Sequence, residues 1–258
     1  MTPSERISAA IRGASGGTAI VAFVTAGYPL REKFREHLTQ IGNEADVVEI
    51  GVPFTDPMAD GMTIQRSSRE ALRQGFSLRW LLDELAAMKH DGKLPSAPLI
   101  LMSYLNPLLA FGFEKLASAA AKVGVCGFII PDLPYDEGEE LRKALEPHGL
   151  AIVQMVTPVT QPERLKKLCA ATQGFLYAVT MTGTTGRTAA VPGEVTRYLD
   201  AVTAASKLPV CAGFGIRSHE QVRQLQGHVA GVIVGSALVE VLENGQDPAA
   251  FLQSLRTG

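Results

Sequence analysis

Glu49 interrupts an otherwise apolar run, Val47-Val48-Glu49-Ile50-Gly51-Val52-Pro53-Phe54, and a second acid follows in Asp56-Pro57-Met58-Ala59-Asp60-Gly61. A carboxylate left among aliphatic side chains is costly or takes a raised pKa, unless it is paired. Chains seldom keep such a residue for stability alone. An acid whose pKa lies near neutrality both donates a proton and takes one back. Glu49, with Asp60 close behind it, is the expected centre of the chemistry. The plainer readings are a buried ion pair for Glu49 and a turn residue for Asp60. Asp56, before Pro57, reads as a turn or cap.

Anion binding is the second signal. Gly183–Gly186, Gly213-Phe214-Gly215 and Gly235-Ser236 each follow a strand-like run. Glycines let backbone N–H groups approach an anion, and Ser236 opens a short helical stretch with its positive end toward it. A lone Gly-x-Gly is usually a turn, but three such segments after consecutive strands carry more weight. Other chemistries lack their residues. The nine lysines all fall outside the strand-like runs, which disfavours a Schiff-base aldolase. His37, His90, His148, His219 and His228 also lie off the strand ends, so no metal site is expected. Gly13-Ala14-Ser15-Gly16-Gly17 matches a nucleophile elbow in form but precedes a strand, so it reads as a loop.

These groups need a frame. Apolar or β-branched runs recur at Thr18–Gly27, Val47–Phe54, Pro98–Tyr104, Gly127–Leu133, Ala151–Thr157, Phe175–Thr182, Pro209–Gly215 and Gly231–Gly235. Stretches of helical period separate them, such as Glu137–Pro147 and Pro162–Ala171. Ser218 with Gln221, and Asp247 before Pro248, look like helix caps. Eight strand–helix units in 258 residues make a (β/α)8 TIM barrel, expected as a single domain over residues 1–258, with a doubly wound sheet as the alternative. Thr2, Pro3 and Glu5 start an extra N-terminal helix expected to close the barrel's bottom. In such a barrel the site lies at the carboxyl ends of the strands, where the polar residues of this chain gather.

With 46% hydrophobic and 19% charged residues and a net charge of -2, the chain has no long-range pull on nucleic acid or anionic membranes. Arg66, Arg69 and Arg73 read as one solvated helix face. Cys126, Cys169 and Cys211 are expected as free thiols. No apolar run is long enough for a membrane span, so a cytoplasmic location is expected.

Together, Phe23-Val24-Thr25-Ala26-Gly27-Tyr28-Pro29, the run from Glu49 to Gly61, Pro131-Asp132-Leu133-Pro134 and Gly213-Phe214-Gly215 resemble the tryptophan synthase alpha chain family over nearly the whole length. The resemblance implies a lyase that cleaves indole-3-glycerol phosphate to indole and glyceraldehyde 3-phosphate. It implies that Glu49 moves protons at indole C3 and the side-chain hydroxyl, while Asp60 accepts the indole N–H. It implies Phe23, Leu101 and Tyr104 around the indole, and Gly186, Gly215, Gly235 and Ser236 around the phosphate. Thr185 would order the closed site around Asp60. The half-reaction needs no metal or organic cofactor. The implied partner is a beta chain carrying pyridoxal phosphate, in an alpha2-beta2 tetramer; a stand-alone lyase without that partner is the alternative. Met62, Cys126, Val159 and Thr184 depart from the family pattern, and none removes a catalytic group.

Overall fold

A computed structural model describes residues 1–180, 191–213 and 215–257. Eight parallel strands close in sequence order: β1 (Ala19–Thr25), β2 (Val47–Gly51), β3 (Leu99–Met102), β4 (Val125–Ile129), β5 (Ala151–Val156), β6 (Leu176–Val179), β7 (Val210–Gly213) and β8 (Gly231–Val234), with β8 pairing back to β1. The helices are α1 (Pro3–Arg12), α2 (Phe34–Glu44), α3 (Met62–Arg73), α4 (Leu78–His90), α5 (Leu105–Phe111), α6 (Phe113–Val123), α7 (Glu139–Leu145), α8 (Pro162–Ala171), α9 (Gly193–Ala205), α10 (His219–Leu225), α11 (Ser236–Glu243) and α12 (Pro248–Thr257). This is the (β/α)8 barrel, and the open-sheet alternative falls with its closure.

Strand alternation sorts the core into two layers. Ile20, Ala22, Val24, Val48, Ile50, Leu99 and Leu101 point outward and pack with helical residues such as Leu38, Leu81 and Leu116. Val21, Val47, Ile100, Ile129, Val153 and Cys211 point inward and fill the barrel. Ile7 and Ile11 of α1 join that inner cluster, so the N-terminal helix stoppers the barrel's lower end. Its start is a complete capping box: the Glu5 amide donates to Thr2 Oγ1 and the Thr2 amide to Glu5 Oε2.

Several local details differ from the sequence reading. The strands are shorter than the apolar runs, because backbone pairing ends before hydrophobicity does. β4 is shifted as well as shortened, beginning earlier than expected, at Val125. Ser218 makes no side-chain cap; instead Gln221 Oε1 accepts from the Arg217 amide at 2.8 Å. Asp247 Oδ1 does cap α12, accepting from the Ala249 amide at 2.9 Å. The face of Arg66, Arg69 and Arg73 is solvated, yet Arg66 also grips Glu243 of α11 through two hydrogen bonds of 3.0 and 2.5 Å. The three cysteines are free thiols. Among the described residues, no helix is long and apolar enough to cross a membrane.

Candidate active site

Strand parity puts Glu49 on the inward face of β2, between Val47 below and Gly51 above. Its neighbours across the sheet are the inward residues Phe23 on β1 and Ile100 on β3. Only 1% of Glu49 is exposed, and its Oε2 has no hydrogen-bond partner. A buried pair therefore does not account for it. Burial, and secondarily the charge of Asp60, push its pKa up to about 8. The carboxyl is thus protonated at neutral pH and able to release its proton near it.

Asp60 reaches the same region from the loop between β2 and α3. Burial raises its pKa to about 6, against a lowering by the Tyr104 hydroxyl, which donates to Asp60 Oδ2 at 3.1 Å. The Tyr104 oxygen in turn accepts from the Ala59 amide at 2.8 Å, and its ring stacks on Phe54 at 5.2 Å. Burial, then the Asp60 charge, holds the Tyr104 phenol well above its usual range, so it remains a donor. Tyr104→Phe removes the bond that favours ionised Asp60. The acid limb of the pH–rate profile should therefore move upward from about pH 6. A limb that stayed in place would detach Tyr104 from Asp60.

The space above Glu49 is filled. A Cβ on Gly51 would lie 2.4 Å from Phe23 Cζ, so Gly51 admits the Phe23 ring into the mouth. Gly213 does the same for Tyr177: a Cβ there would meet the phenol oxygen at 2.8 Å. Gly213 is a glycine for the ring beside it, whatever its neighbours do for an anion. Gly51→Ala must displace Phe23, lowering stability by about 1–3 kcal/mol and raising KM as the aromatic wall moves. Thermal unfolding and KM measure the two effects, and wild-type values for both would contradict this packing.

Tyr177 escaped the sequence reading. It stands on β6, and burial, followed by the charges of Glu49 and then Asp60, raises its phenol well above the ordinary range. It packs with the barrel-filling residues and so lies on the inward face that also carries Glu49. A hydroxyl within the apolar run Phe175–Val179 was the available signal. Leu101 requires a correction. It is fully buried among outward residues of the sheet–helix layer, so it is not a wall of the mouth. Ile100 and Met102 occupy the inward positions of β3.

Round the barrel beyond β1, Gly213 of β7 pairs with Ile233 of β8. Gly215 and Gly235 each stand two residues beyond that pair. Gly215 has φ +71° and is exposed, and among the described residues nothing lies within 4 Å of where a Cβ would be. Gly235 borders Phe23, at 3.8 Å between the Phe23 Cβ and a Cβ built on the glycine. Ser236 begins α11, whose first-turn N–H groups lack intrahelical partners. Together they make a candidate anion cradle beside the acids. Thr184, Thr185 and Gly186 lie outside the described residues.

A closed parallel barrel with two acids of raised pKa at its carboxyl mouth and a candidate anion cradle beside them has the layout of a (β/α)8-barrel enzyme. A sequence profile described as the tryptophan synthase alpha chain matches residues 10–257. The tryptophan synthase alpha chain of Nitratidesulfovibrio vulgaris Hildenborough is 41% identical over 242 residues, covering 93% of each chain. That of Carboxydothermus hydrogenoformans is 42% identical over 230 residues, covering 89% of this chain and 85% of the relative. A solved tryptophan synthase from Mycobacterium tuberculosis superposes with a TM-score of 0.87 at 33% identity, covering 99% of this chain and 97% of the other. The alpha subunit from Legionella pneumophila gives 0.86 at 32%, covering 99% and 97%. The chain belongs to the tryptophan synthase alpha chain family, and it is a lyase.

Proposed function

We propose that Glu49 and Asp60 carry out the retro-aldol cleavage of indole-3-glycerol phosphate to indole and glyceraldehyde 3-phosphate. The observation that supports this most is the buried Glu49 carboxyl on the inward face of the mouth, its Oε2 without a hydrogen-bond partner and its proton affinity raised further by the charge of Asp60. Protonated Glu49 gives its proton to indole C3. Positive charge then develops at the ring nitrogen, and the Asp60 carboxylate stabilises it by accepting the N–H. The bond from C3 to the glycerol chain breaks, and its electron pair returns to the ring. The adjacent hydroxyl becomes the aldehyde as its proton passes back to Glu49. Protons and electrons balance, and Glu49 ends as it began. Phe23, Tyr104, Met102 and Tyr177 bound the aromatic half, while Gly215, Gly235 and the start of α11 hold the phosphate. Thr185 and Gly186 keep the roles the family resemblance gives them.

The partner is a beta chain that carries pyridoxal phosphate and receives the indole, in an alpha2-beta2 assembly located in the cytoplasm. Two exposed methionines flank Asp60, Met58 at 84% and Met62 at 85% exposure, a pairing that suits burial against another chain beside the site. An indole-release assay on indole-3-glycerol phosphate, with and without the purified beta chain, tests both parts. Indole formation that rises on adding the beta chain is expected. Absence of indole would overturn the reaction, and a high rate unaltered by the beta chain would overturn the partnership.

A further inference from the structure

One carboxylate joins the two halves of the mouth. Glu240 lies on α11, the helix whose first turn contributes to the anion cradle. Its Oε1 accepts from Thr63 Oγ1 at 3.2 Å. Both its oxygens accept from Arg217: Nη1 to Oε2 at 2.7 Å and Nη2 to Oε1 at 3.0 Å. Thr63 stands in the first turn of α3, three residues after Asp60, and Arg217 stands two residues after Gly215. The Arg217 backbone is itself anchored, its amide donating to Gln221 Oε1. The acid loop, the glycine loop and the cradle helix thus meet at a single side chain.

We propose that Glu240 is a positioning residue that sets the distance between Asp60 and the phosphate cradle. The inference rests on the lyase reading above. Isolated ion pairs of this exposure add little to stability, but a planar two-bond pair within a network holds geometry well. Small misplacements in a site that must grip both ends of its substrate are costly in rate and affinity. The neighbouring pair of Arg66 with Glu243 supplies an internal comparison. It also ties α3 to α11, through hydrogen bonds that do not involve Arg217.

The experiment compares Glu240→Ala, Glu240→Gln and Glu243→Ala in steady-state cleavage and in calorimetric binding of glycerol 3-phosphate. Glu240→Ala should raise KM and weaken glycerol 3-phosphate about tenfold, with a smaller loss of kcat through Thr63. Glu240→Gln keeps one acceptor for Thr63 and Arg217, so it should recover most of that loss; it also carries the test if the alanine variant is poorly folded. Glu243→Ala should stay within about twofold of wild type in both measurements. Values for Glu240→Ala within twofold of wild type overturn the proposal. Equal weakening by Glu240→Ala and Glu243→Ala overturns it too, as mere loosening of α3 against α11. A wild-type chain that binds glycerol 3-phosphate but cleaves nothing removes the lyase reading, and this inference with it.

Discussion

Glu49→Gln should slow indole release by roughly 10⁴ while leaving the barrel folded. The substitution preserves shape and removes the ionisable proton. A single general acid–base role is worth about 10²–10⁴ in rate, and Glu49 is assigned two in one turnover. Because both roles belong to one group, their losses do not simply multiply, so a fall of roughly 10⁴ is expected. The pH profile gives a second handle. Wild-type kcat/KM should rise through about pH 6 as Asp60 ionises and fall through about pH 8 as Glu49 loses its proton. Any residual activity of the variant should lack the alkaline limb. Single-turnover indole release and circular dichroism together decide the matter. A folded variant within tenfold of wild type would remove Glu49 from the chemistry.

The frame and the acids were legible because both leave local marks. Strand–helix alternation is written in hydrophobic period, and a glutamate inside an aliphatic strand violates that pattern visibly. The walls of the mouth were harder to read. Leu101 and Ile100 are equally apolar neighbours, and only the register of β3 against β2 says which one faces Glu49. Gly51 and Gly213 illustrate the same limit. The sequence marks them as places without a side chain, but which ring fills each space depends on strands far apart in the chain. The hub at Glu240 has no local signature at all, since Thr63, Arg217 and Glu240 come from three separate βα units. Long-range pairing among surface charges follows no period and spells no motif.

The same proton makes Glu49→Gln gain stability relative to wild type as the solution becomes alkaline. The Glu49 pKa is 4.5 in its ordinary state and about 8 in the folded chain, so between these values the folded state binds more protons than the unfolded one. Stability therefore falls as pH rises through that window. The contribution of the protonated carboxyl is fully present below about pH 4.5 and is lost as pH passes about 8. Asp60, raised from 3.8 to about 6, adds a slope of the same sign at lower pH, which leaves Glu49 as the main contributor of the two between 6 and 8. Glutamine has no such proton. Its amide adds only a constant offset from its own burial, whereas wild type loses on the order of 2–3 kcal/mol over those two pH units. Urea unfolding of both chains at pH 6, 7, 8 and 9 isolates the term, because the offset cancels in the pH dependence of the difference. The gap should widen steadily to about pH 8 and then level off. That direction follows from an active site whose central acid is held against its own ionisation: the burial that prepares the proton for C3 weakens the fold as the proton leaves. A gap that stays flat across the series would mean that Glu49 titrates in the folded barrel as it does in the unfolded chain.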